Sequence, residues 1–174
     1  RSSGLFYVYR KENRNIKHTL VFLSSKQHDQ IDEINSYLQH DFGLIIHQVT
    51  GVETQGGISK QKIDDFKNEK IQVLTSMKVL DEGLNVPQIK TAYIIASTTS
   101  EREWTQRRGR VLRKCDEINK QKAVIHDFMV LAPNNGDFDN IIKTERKRIT
   151  EFAKLSNNPW NKTGGLRILK EYYG

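Results

Sequence analysis

The chain of 174 residues carries 28 Lys and Arg against 21 Asp and Glu, a formal charge of +7, and the pI is near 9.5, a balance that favours a polyanionic partner such as DNA, RNA or a nucleotide. No apolar run approaches the ~18 residues that a membrane-spanning helix needs, and the single cysteine, Cys115, excludes an intrachain disulfide framework and a multi-cysteine zinc site. With 36% hydrophobic and 28% charged residues the chain has enough apolar material for a folded core, and its cysteine usage points to a reducing, cytoplasmic compartment.

Arg1-Ser2-Ser3-Gly4 opens a lead-in over residues 1–16 that reads as a remnant or a domain cut point. From there short apolar runs alternate with amphipathic stretches, the pattern of an α/β domain with a mostly parallel sheet. Thr19 to Leu23 is predicted as a strand, closed by Ser24-Ser25. Gln27 to Asp41 places Ile31, Ile34 and Leu38 at helical spacing and stops before Gly43. Leu44 to Val49 reads as a second strand, Thr50 to Gly57 as a glycine-rich loop, and Ile58 to Lys67 as a helix with Ile63 and Phe66 inward. Ile71 to Thr75 is a third strand, followed by a short helix near Lys78 to Glu82 and a stop at Pro87. Thr91 to Ala96 is a fourth strand, Glu103 to Arg113 a helix, and Ala123 to Phe128 a fifth strand.

Beyond Pro133 the composition changes. Asn134-Asn135-Gly136-Asp137 is a turn, and Phe138 to Leu155 is one long helical pattern with Ile141, Ile142, Ile149 and Phe152 inward. The mixed-sign run Lys143 to Arg148 reads as a solvated helix face. Asn157-Asn158-Pro159 and Gly164-Gly165 make the final stretch loop-like before a short helix, with Trp160, Tyr172 and Tyr173 expected to pin this tail down. The boundaries that follow are 17–133 for the α/β domain and 134–174 for a helical C-terminal extension.

Two segments carry candidate chemistry. In Gln106-Arg107-Arg108-Gly109-Arg110-Val111-Leu112-Arg113, helical geometry puts Gln106, Gly109, Arg110 and Arg113 on one face. Two guanidiniums one turn apart, beside a glycine that removes bulk, form a clamp for phosphate, because each fork can donate two parallel hydrogen bonds. An arbitrary arginine cluster is ordinarily a solvated face; the company of the second segment favours the functional reading. That segment, Lys78 to Pro87, follows the third strand and contains Glu82-Gly83-Leu84-Asn85-Val86-Pro87. Loops at the carboxyl ends of parallel strands are where open α/β sheets bind ligands. Gly83 allows close backbone approach and Asn85 supplies a hydrogen-bonding amide. Here too an ordinary helix cap with a proline stop is the plain alternative.

In this order the motifs resemble the second RecA-like domain of superfamily 2 helicases of the DEAD/DEAH type, nearest the branch of restriction-enzyme translocases and excision-repair DNA helicases. The resemblance spans about Lys17 to Pro133, roughly two-thirds of the chain. It rests on VFLSS (Val21 to Ser25), Thr50-Gly51, EGLNVP (Glu82 to Pro87) and QRRGRVLR (Gln106 to Arg113). It implies a RecA-like three-layer sandwich and arginine fingers at Arg110 and Arg113, with Gln106 beside them, reaching ATP held mainly by a first domain. By the same resemblance Glu82, Gly83, Asn85 and Gly109 lie near the nucleotide, and Ser24, Ser25, Thr50, Gly51, Thr75 and Ser76 near the phosphates of a nucleic-acid strand, DNA favoured. Two positions depart from the family pattern: Asn85 replaces its usual Asp, and Met77 its usual phosphate-contacting Thr.

The sequence contains neither a G-x-x-x-x-G-K-[ST] phosphate loop nor a D-E-x-H box. The resemblance therefore implies half of a motor, inactive alone, whose Mg²⁺ and phosphate loop belong to an N-terminal RecA-like domain of the same protein. The alternative is a non-catalytic nucleic-acid or partner-binding module that keeps a helicase-derived fold. The five histidines show no metal-ligand spacing, and no metal is expected on this chain.

Overall fold

The computed structural model describes residues 16–23, 28–49, 51–56, 58–77, 85–95, 101–128 and 139–173. Two compact units are present, Arg1–Phe128 and Met129–Gly174.

The first unit is built on five parallel strands in the order β2-β3-β1-β4-β5. They are β1 Thr19–Phe22, β2 Ile46–Gln48, β3 Val73–Ser76, β4 Thr91–Ile94 and β5 Val124–Asp127. β1 lies in the middle, in register with β3 (Thr19 opposite Val73) and with β4 (Thr19 opposite Thr91). All four of its residues are buried, which is why its sequence, Thr-Leu-Val-Phe, is continuously apolar after the threonine rather than alternating.

Residues of opposite parity on these strands serve opposite faces. Val21, Leu23, Val73, Tyr93 and Ile95 pack in one cluster with Ile31, Ile34 and Leu38 of helix α1, His28–His40. Those three helix positions are the i, i+3, i+7 stripe of the sequence, and each contributes about 1.5–3 kcal/mol by leaving water. The stop is local: Gly43 takes φ +63°, a left-handed turn that suits glycine, and Leu44 N–H donates to Leu38 O at 3.1 Å. Met77, at the departure from the family pattern, packs against the same apolar cluster.

The remaining elements of this unit are α2 Gly51–Gly56, α3 Lys60–Lys67 and α4 Glu101–Val111. A 3₁₀ turn, Asp116–Ile118, precedes β5. Ser59 caps α3 by accepting from Lys62 N–H at 3.4 Å, and Phe66 is its fully buried residue. The chain moves from β1 outward to β2 and then back across β3, β4 and β5. With right-handed crossovers, that reversal puts α1 on one face of the sheet and α3 and α4 on the other, the three-layer α/β arrangement of a RecA-like fold.

Four expectations change. Residues 51–56 form a short helix rather than a loop; His47 on β2 meets Glu53 at 2.9 Å, a tertiary contact that outweighs the poor helix propensity of glycine. The arginine helix ends at Val111, so Arg113 lies beyond it. Within Lys143 to Arg148, Glu145 and Arg148 are buried and paired at 3.0 Å, so that face is not wholly solvated. Trp160 and Tyr172, expected to be covered, are each 60% exposed. The short helix expected at Lys78 to Glu82 lies outside the described residues.

The second unit pairs α5, Asp139–Lys154, with α6, Gly165–Tyr173. Gly165 lies close against α5: a Cβ there would stand 3.0 Å from Ala153 Cβ and 3.2 Å from Ile149 Cγ2.

Candidate nucleotide-facing site

Helix α4 follows β4 and returns from the carboxyl edge of the sheet to its amino edge. The segment 85–90 arrives at that same edge, because Lys90 N–H donates to His18 O, just before β1, at 2.8 Å. The two candidate motifs therefore converge where α4 ends. Arg113 Nη1 donates to Asn85 Oδ1 at 2.5 Å, a bond between exposed side chains. Asn85 thus sits at the amino edge and not, as the position after the third strand implies, at the carboxyl one.

The end of α4 is held in a specific way. Leu112 N–H donates to Arg108 O at 3.0 Å, and Arg113 N–H to Arg110 O at 3.4 Å, so the helix tightens as it stops. Gln106 and Arg110 are half-buried and Gly109 is exposed. A Cβ on Gly109 would meet no atom within 4 Å among the described residues, so packing against them does not demand glycine there. Arg113, with one guanidinium nitrogen on Asn85, and Arg110 three residues before it, next to the exposed Gly109, are donors suited to phosphate oxygens.

Below this edge lies a residue that the sequence reading missed. Lys120 is only 2% exposed, and its Nζ donates to Val111 O at 2.7 Å and to Pro87 O at 2.9 Å. Burial lowers the ammonium pKa to about 8, with a nearby positive charge on Lys90 acting the same way and Cys115 opposing. Cys115 and Lys120 exchange backbone hydrogen bonds at 3.2 and 2.8 Å across a tight turn in which Asn119 is left-handed, φ +48°. Cys115 is buried there. Gln88 Nε2 donates to Glu117 Oε2 at 3.3 Å, and Lys67 Nζ meets the same carboxylate at 3.2 Å.

Of the residues expected to face a nucleic-acid strand, Gly51, Thr75 and Ser76 lie at the opposite edge. Gly51 opens α2 directly after β2, and Thr75 and Ser76 end β3. Thr75 and Ser76 are buried, and their carbonyls accept from Val49 N–H at 2.8 Å and Leu23 N–H at 2.9 Å. Thr75 Oγ1 is buried with no hydrogen-bond partner among the described residues. Strands of four residues separate the two edges by about 13 Å. Ser24, Ser25, Thr50, Glu82 and Gly83 lie outside the described residues. Among the described residues no group of three or more His, Cys, Asp or Glu could hold a metal ion, and no helix is long and apolar enough to cross a membrane.

Comparison with known proteins fits this architecture. Over 69 residues, 40% of the chain, the sequence is 40% identical to "Putative helicase 22" of Sulfolobus islandicus filamentous virus (isolate Iceland/Hveragerdi), and the match spans 12% of that protein's length. The yeast DEAD-box splicing factor Prp28 is structurally similar over 99% of this chain and 35% of its own, with TM-score 0.65 and 14% identity. The C-terminal domain of the DEAD-box protein Dbp5 matches 90% of this chain and 82% of its own, with TM-score 0.57 and 16% identity. The sequence pattern of the helicase conserved C-terminal domain matches residues 4–115. The chain belongs to the helicase conserved C-terminal domain family.

Proposed function

We propose that this chain is the second motor domain of an ATP-dependent helicase or translocase, working against a first domain that carries the phosphate loop. The observation behind this reading is the bond from Arg113 to Asn85, which joins QRRGRVLR to EGLNVP on one solvent-facing edge. Arg110 and Arg113 act as arginine fingers on the γ-phosphate of ATP, with Gln106 beside them and Gly83, Asn85, Glu82 and Gly109 near the nucleotide. Bound ATP supplies the phosphoryl group whose transfer develops negative charge. Guanidiniums aimed at that charge are worth on the order of 10³–10⁵ in rate. The Mg²⁺ belongs to the first domain in this reading.

The carboxyl edge then faces nucleic acid. Ser24, Ser25, Thr50 and Gly51 offer hydroxyls and backbone N–H groups to phosphates, contacts that fix position without reading sequence. Thr75 and Ser76 form the strand end behind them. DNA is favoured because the motif spelling is nearer the DNA-translocase branch than the DEAD-box RNA branch. The match to a viral helicase supports the motor reading.

The test is nucleic-acid-stimulated ATPase of the full-length parent, wild type beside Arg113→Ala, with single-stranded DNA and RNA as stimulants. The expected result is stimulation by DNA in the wild type and its collapse in the variant. An inactive, folded wild type would instead indicate a non-catalytic binding module. Equal turnover in the two proteins would remove the arginine-finger assignment.

A further inference from the structure

Helix α4 stops where its final carbonyl is taken by a side chain. Val111 O, the final helical carbonyl, accepts from Lys120 Nζ at 2.7 Å. A cation at the carboxyl end of a helix is favourable, since the unsatisfied carbonyls there carry partial negative charge. This cation is buried, and it arrives from nine residues downstream on a turn closed by paired backbone bonds to Cys115. The same nitrogen also donates to Pro87 O, at 2.9 Å, two residues after Asn85. One ammonium thus links the end of the arginine helix to the segment that carries Asn85, directly behind the bond between Arg113 and Asn85.

A buried ammonium is expensive to desolvate, and the lowered pKa of Lys120 records that cost. A carbon side chain of the same length would fill the space without it. What the lysine provides, and an apolar residue cannot, is a donor to two carbonyls on two separate segments.

We infer that Lys120 is a positioning residue, which sets the relative placement of the Arg110–Arg113 turn and the Asn85–Pro87 segment and so the place from which Arg113 works. The functional half of this inference rests on the proposed role of Arg113; the structural half does not.

Two measurements separate them. Hydrogen exchange on this chain reads the structural half. Lys120→Met is expected to speed exchange by about tenfold or more in residues 85–90 and 111–115 while β1 and β3 keep their protection. Unchanged exchange in those two segments would overturn the inference whatever the ATPase shows. If Lys120→Met does not fold, the wild-type chain reads the same link: residues 85–90 and 111–115 are expected to open together, and independent opening of the two segments would overturn the inference.

The functional half is read in the full-length ATPase by a double-mutant cycle. Lys120→Met alone is expected to lower kcat by about 10- to 100-fold with little change in KM for ATP, the signature of a misplaced group. On an Arg113→Ala background the same substitution is expected to change kcat by less than about twofold, because residues acting as a unit are not additive. A fully additive loss, or none in the single variant, would overturn the inference while leaving the arginine assignment intact. Loss of effect in Arg113→Ala alone would instead count against the arginine assignment, and the exchange result would still decide the placement of the two segments.

Discussion

Arg113 and Asn85, 28 residues apart in the chain, are joined by a hydrogen bond of 2.5 Å between exposed side chains. A neutral amide holds the guanidinium by one oxygen and leaves it a net positive charge, whereas the Asp usual in the family would neutralise it. Exposed hydrogen bonds contribute little to folding, so this contact belongs to the site more than to the fold. Asn85→Ala is therefore expected to change the unfolding free energy of this chain by no more than about 1 kcal/mol. In the full-length protein the same substitution is expected to lower kcat by about tenfold, since the arginine loses its anchor. Thermal unfolding and steady-state ATPase on the same variant check both halves. A stability loss several times larger would make the bond structural.

Gly109 gives an opposite pairing of signs. It lies within α4, where glycine costs roughly 0.5–1 kcal/mol relative to alanine. A Cβ there meets no described atom within 4 Å. Gly109→Ala is thus expected to stabilise the isolated chain by about that amount. If the open surface receives the partner domain and its nucleotide, the added methyl lowers ATPase turnover in the parent. A variant both more stable and fully active would show that nothing approaches this face closely.

His18 is expected to make the chain sensitive to acid. It is buried, its Nε2–H donates to Lys67 O at 3.1 Å, and its ring meets Phe66 edge-on at 5.6 Å. Nδ1 has no partner among the described residues. Burial holds its pKa below the ordinary 6.5, with the bond to Lys67 opposing and Lys90 adding to the effect. The unfolded chain therefore binds the proton more readily, and stability present above about pH 6.5 is lost as the pH falls towards the folded value. His18→Asn, which tolerates the left-handed backbone at φ +50°, is expected to flatten that slope between about pH 7 and 5. Denaturant midpoints across that range measure it; an unchanged slope would place the acid-sensitive group elsewhere.

The sheet was legible because its strands are short apolar runs, and α1 because Ile31, Ile34 and Leu38 repeat at helical spacing. Both signals are local. The three points that local pattern missed are tertiary. Residues 51–56 begin and end on glycine and spell a loop, yet His47 reaches Glu53 from β2. The helical repeat runs on to Arg113, yet Val111 O is taken by Lys120 and the chain turns away. Lys120 itself sits in the polar stretch Asp116 to Lys122, where nothing marks one lysine as buried. The motifs named the residues of the site; the convergence of Asn85 and Arg113 on the amino edge required the crossover to be seen.

The pair Glu145 and Arg148 in α5 illustrates a signal that was present. Glu145 falls on the helical stripe of Ile142, Ile149 and Phe152, a position where a lone carboxylate would be costly. It is 3% exposed, Arg148 is 2% exposed, and the two meet at 3.0 Å. Removing one partner leaves the other charge buried, at a cost of about 3–5 kcal/mol, whereas replacing both by apolar groups of similar volume is often neutral or stabilising. Glu145→Ala is accordingly expected to melt the α5–α6 pair well before the sheet, visible as a separate transition by helical circular dichroism. Glu145→Leu combined with Arg148→Met is expected to restore a single late transition. If the double variant is as unstable as the single one, the pair contributes more than mutual neutralisation.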